Sequence, residues 1–111
     1  MDNNIEMIEL SIREAKKKVD MASSLEKLRI NKDFDELITE GYFVHESSRL
    51  VLLKADPSMS SDNDQIIISK SIDAIGYFRQ YLSAVRQLGS MASKAISDDE
   101  DTREEMLREA I

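Results

Sequence analysis

From Ile68 to Ile96 the chain repeats every seven residues. Ile68, Ile75, Leu82, Gly89 and Ile96 hold one position of the repeat; Ser71, Phe78, Val85 and Ala92 hold the second. Alternating steps of three and four residues mark the seam of a helix that lies along another helix. The first third of the chain supplies that second helix. Ile5, Ile8, Ile12, Ala15, Val19 and Ala22 show the same alternation, and Leu25 and Leu28 continue the apolar face after a change of phase. Three glycines and one proline in 111 residues leave too few breakers for many strands and turns. The spacing therefore predicts an all-α fold. Two long antiparallel helices, near residues 4–30 and 63–96, form a coiled-coil-like hairpin with a shallow crossing of ~20°. At ~1.5 Å per residue they are about 40 and 50 Å long.

The intervening sequence predicts two short helices. In "RINKDFDELITEGYF", Asp33 followed by Glu36 reads as a capping box opening a helix over 33–40, with Phe34, Leu37 and Ile38 facing inward. Gly41 suits a left-handed residue that ends it. A second short helix is expected over 45–55, using Leu50, Val51 and Leu53 and stopped by Pro57. "DPSMSSDND" is a polar loop, and Asp62 with Gln65 is placed to cap the second long helix. After residue 96, Ser97 and Glu100 form another capping box. It restarts a short acidic amphipathic C-terminal helix whose Met106, Leu107, Ala110 and Ile111 share one side. The expected organisation is a helical hairpin domain, 1–97, followed by an acidic segment, 98–111. Within the long helices, Glu14 and Lys18 are spaced as an i,i+4 ion pair. Gly76 and Gly89 each cost about 1 kcal/mol relative to Ala, a cost that close approach of another backbone would offset.

Little in the sequence supports chemistry. There is no cysteine and one histidine, which excludes thiolate sites and makes an all-protein zinc site improbable. "GYFVHESSRL" gathers His45, Glu46, Ser47 and Ser48. A nucleophile–base–acid relay needs the base between its two partners. Successive helical residues point ~100° apart, so Glu46 cannot orient His45 from the next position. No E-x-x-H pair offers a di-iron site, and "DNDQ" lacks the Gly and Glu of a calcium loop. Carboxylates are plentiful, but a thin hairpin offers no cleft giving two of them distinct environments. No catalytic, cofactor-binding or metal-binding residue is assigned, and the expectation is a protein that is not an enzyme. The apolar runs "LVLL" and "III" fall far short of the ~20 residues of a membrane span, and the N-terminus carries no apolar signal core. A soluble, intracellular protein is expected.

The net charge of −7 is unevenly spread: residues 98–111 carry seven acids against two arginines. The rest is nearly neutral, which disfavours direct nucleic-acid binding. Apolar residues off the main seams point to protein partners. Met7, Leu10, Met21 and Leu25 lie off the first seam, and Tyr77, Tyr81 and Leu88 off the second. Two such helices cannot bury all these groups alone, so self-association or docking to another protein is expected. Arg79 and Arg86, one heptad apart, serve either as a solvated edge or as a strip for an acidic partner. "KKK" at 16–18 reads as a solvated face. The acidic end reads either as a solubilising tail or as an interaction helix. The candidate partner-binding residues are Tyr77, Arg79, Tyr81, Arg86, Met106, Leu107 and Ile111.

"DFDELITEGYF", "RLVLLKADPSM", "IDAIGYFRQYL", "LGSMA" and the acidic "DDEDTREEML" together resemble small helical, "coil-containing" proteins of tailed bacteriophages, encoded in the structural gene module. The resemblance covers about residues 20–110. It implies a non-enzymatic role in the virion or its assembly, as minor structural component, scaffold or assembly chaperone. It places the protein in the host cytoplasm during infection and leaves open whether it is kept in the virion. An alternative from another class is a small acidic inhibitor of a host enzyme, its carboxylates standing in for nucleic-acid phosphates. Such a mimic spreads its acids along a whole face; here they crowd into fourteen residues.

Overall fold

The computed structural model describes residues 2–110. The fold is all-α, with no strand among the described residues. Helix α1 spans Asp2–Arg29 and α4 spans Asp62–Glu109. Between them run α2 (Lys32–Phe34), a π-helix (Asp35–Glu46), α3 (Ser47–Lys54) and a 3-10 turn (Pro57–Met59). The two long helices pack against each other, as the heptads require. By their contacts the residues group into two compact units. One holds residues 1–25 and 84–111, the other residues 26–83.

In the first unit α1 and α4 run antiparallel. Ser11 donates to the Asp99 carboxylate at 2.9 Å, and further along Gly89 meets Lys18 and Ala22. Ile12, Ala15, Leu25 and Ala92 are buried between the helices. Gly89 is what lets them approach. A Cβ at this position would collide with the Cβ of Ala22 and lie 3.3 Å from the Lys18 carbonyl oxygen. Gly89 therefore fulfils the close-approach reading, whereas a Cβ on Gly76 would meet nothing within 4 Å. Leu25, expected off the seam, is buried; the change of phase after Ala22 carries it into the core rather than out of it.

In the second unit the buried positions are Leu50, Ile68 and Ile75. Beside them Phe78 meets Phe43 at 5.5 Å and Tyr42 at 6.2 Å between ring centroids. Asn31 caps α2, accepting from the Phe34 amide at 3.1 Å. Helix therefore begins before Asp33, which is not the cap. Gly41 does not end a helix either. No glycine among the described residues has positive φ, and helical geometry runs unbroken from Lys32 to Lys54 by changing type. A π-helix closes i→i+5 hydrogen bonds. Within it a Cβ on Gly41 would sit 2.6 Å from the Glu36 carbonyl oxygen, so the glycine relieves crowding inside the helix. The altered phase also turns Leu37 outward, and Val51 in α3 is exposed.

Asp56 accepts from the Ser58 amide at 2.9 Å and Pro57 opens the 3-10 turn. Gln65 closes the connection by donating to the carbonyls of Lys54 (3.0 Å) and Met59 (2.8 Å). The cap of α4 is Ser61, whose hydroxyl accepts from the Asp64 amide at 3.1 Å, not Asp62.

The acidic end is not a separate helix. α4 continues through Ser97 to Glu109. Its inward side is maintained by Ile96, Asp99, Arg103 and Met106, all half-buried at steps of three and four. A favourable capping sequence does not open a helix where the preceding turn already satisfies its amides.

Candidate functional site

The residues of "GYFVHESSRL" form no relay. His45 is exposed at the end of the π-helix. The Ser47 hydroxyl donates to the carbonyls of Phe43 (2.7 Å) and Val44 (3.0 Å), so it is tied to its own helix. Glu46 accepts from Arg49 Nε at 3.1 Å. This hydrogen bond with Arg49 holds the Glu46 carboxyl below its ordinary value and raises the Arg49 guanidinium. The residues that suggested a relay each have a structural partner or face water. Among the described residues no cluster of three or more His, Asp or Glu is placed to hold a metal ion. No helix among the described residues is long and apolar enough to cross a membrane.

The feature left over is apolar surface. Tyr77 and Tyr81, one turn apart on α4, are 68% and 56% exposed, with Arg79 exposed between them. All three belong to the second unit. In the first unit Arg86 is exposed and engaged within the chain, and Leu88, Met91 and Leu107 are exposed. Met106 is half-buried, lining a recess of about 180 Å³ with Asn4, Ile5 and Glu109. Ile111 lies outside the described residues. Met91, at the next three-residue step beyond Leu88, extends the apolar row, and the steps of four and three through Ala74, Tyr77, Tyr81, Ala84 and Leu88 were the signal for it.

A second exposed face lies on α1. Met7, Leu10 and Met21 point to solvent, and Glu14 pairs with Lys17 at 3.0 Å between them. Lys17, three residues on, takes the role expected of Lys18. Such an exposed pair contributes at most about 1 kcal/mol, so it does not explain why the apolar side chains around it remain uncovered. Large exposed apolar patches mark interaction surfaces in proteins of this size.

The chain matches no protein-family model, no curated protein and no solved structure.

Proposed function

We propose that the chain is a non-enzymatic bacteriophage protein of the virion or its assembly, acting by helix–helix docking. The observation that supports this reading best is the exposure of the two tyrosines on α4 beside Arg79. Tyr and Arg are the residue types that dominate the centres of protein interfaces. A tyrosine pair one turn apart presents two rings on one helical face, the arrangement used when a helix is received by a groove or another helix. The exposed Leu88, Met91 and Leu107 add apolar area on the same helix. The phage assignment itself rests on the sequence resemblance described above.

The test is quantitative mass spectrometry of purified proheads and virions from the phage that carries the gene. A fixed copy number in either particle is expected. Tyr77→Glu with Tyr81→Glu should remove the protein from the particle while helicity, measured by circular dichroism, is retained. Absence of the unmodified protein from both particles would overturn the proposal.

A further inference from the structure

We infer that the outer face of α1 binds a second copy of itself, antiparallel and in one register. The inference stands independently of the phage assignment. Met7, Leu10, Glu14, Lys17, Met21 and Ser24 follow steps of three and four residues, a second heptad seam on α1. All six are exposed, because the first seam, through Ile12 and Ala15, occupies the opposite side.

The occupant follows from the charges. In an antiparallel pair, residues meet across the axis when their numbers add to a constant. With the axis between Ala15 and Lys16, Leu10 meets the partner's Met21 and Glu14 meets the partner's Lys17. The flanking positions follow a separate sum. Arg13 and Asp20 each stand one residue before a seam position, Glu14 and Met21. In an antiparallel pair such equivalent edge positions face each other, here with numbers adding to 33 rather than 31. Arg13 therefore faces the partner's Asp20, and by symmetry each contact occurs twice. Arg13 and Asp20 are exposed, and no ion pair engages either among the described residues.

Other arrangements fail on the same residues. A parallel pair sets Glu14 on the partner's Glu14, Lys17 on Lys17, and Arg13 against Lys18. Moving the antiparallel register by one heptad sets Arg13 against Arg13 one way and Asp20 against Asp20 the other. Like charges in contact suppress a wrong pairing, and a polar layer within an apolar seam fixes register. The Glu14–Lys17 layer therefore has a purpose that its position on an exposed surface leaves unexplained in the single chain.

The test uses the full chain and two charge reversals, Arg13→Asp and Asp20→Arg, with sedimentation velocity to measure association and circular dichroism to confirm equal helicity. The unmodified chain should dimerise. Each reversal alone places like charges at both symmetric contacts, and should weaken the dimer by roughly tenfold, the scale of two exposed ion pairs. An equimolar mixture should form a heterodimer restored to within about threefold of the original, because both contacts become opposite again. A chain that stays monomeric up to about 200 µM, where mass action favours association, would overturn the inference. So would reversals without effect, or reversals whose weakening the mixture fails to repair. Leu10→Glu offers an independent reading and should abolish the dimer. None of these outcomes bears on whether the protein is found in particles, so the two proposals fail separately.

Discussion

The same substitution at two glycines of one helix should act in opposite directions. Gly76 and Gly89 both lie inside α4, and replacing a helical glycine by alanine gains about 1 kcal/mol in propensity. At Gly76 nothing lies within 4 Å of the new Cβ, so Gly76→Ala should keep that gain. At Gly89 the new Cβ runs into Ala22, which has no rotamer through which to yield, and crowds the Lys18 carbonyl. Relief requires α1 and α4 to separate locally. A gap of 0.5–1 Å already forfeits about a quarter to a half of each van der Waals contact it opens. Overpacking of this kind costs about 1–3 kcal/mol. Weighed against the propensity gain, Gly89→Ala should end between neutral and about 2 kcal/mol destabilised. It should lie about 1–3 kcal/mol below Gly76→Ala.

Thermal and urea denaturation followed by circular dichroism, at one protein concentration, measures both variants on one scale. In a chain this size each kcal/mol moves Tm by about 4–8 °C. The double variant Gly89→Ala with Ala22→Gly removes the colliding atom, and its coupling energy should be favourable by at least about 1 kcal/mol. Equal stabilisation by Gly76→Ala and Gly89→Ala would refute the close-approach account.

Gly41→Ala should destabilise by about 1–3 kcal/mol in the same assay, since the new Cβ meets the Glu36 carbonyl rather than open space; a stabilised variant would contradict the crowding inside the π-helix. Gln65→Ala should cost about 1–2 kcal/mol and increase amide hydrogen exchange near residues 54–59, because one side chain satisfies two carbonyls there. Hydrogen bonds hold the Glu46 and Asp56 carboxyls below their ordinary values of 4.5 and 3.8, through Arg49 and Ser58 respectively. Lowered values stabilise the fold above the ordinary range, and that contribution is lost as pH falls through them. The Tm difference between the unmodified chain and Glu46→Gln with Asp56→Asn should therefore be constant near neutral pH and close as acidity increases below about pH 4.

The heptads made the architecture legible. Ile12, Ala15, Ile68, Ile75 and Ala92, all picked out by spacing alone, are buried. The exposed Tyr77 and Tyr81 were legible for the complementary reason, as large side chains off that seam. What misled was local punctuation. Asp33, Gly41 and Ser97 are residues that commonly begin or end helices, yet each lies inside continuous helical structure. Capping residues report only that a terminus would be tolerated, whereas inward side chains such as Asp99, Arg103 and Met106 decide whether the helix continues. The π-helix had no signature at all. Its composition is that of an ordinary amphipathic helix, and the choice between i→i+4 and i→i+5 bonding leaves no mark in the spacing of its apolar residues. The outer face of α1 was visible in part through Met7, Leu10 and Met21, but its charge pairing emerges only once that face is known to be free.

The π-helix also has an evolutionary consequence. A helix wound with i→i+5 bonds advances more slowly around its axis than an α-helix. Over Asp35–Glu46 that difference accumulates and fixes which way Leu50 points when α3 begins. A lineage that gained or lost one codon here would have a means of absorbing it, by exchanging a turn of one winding for the other. Length variation among descendants of this gene should then fall between Asp35 and Glu46 more readily than within the rods on either side.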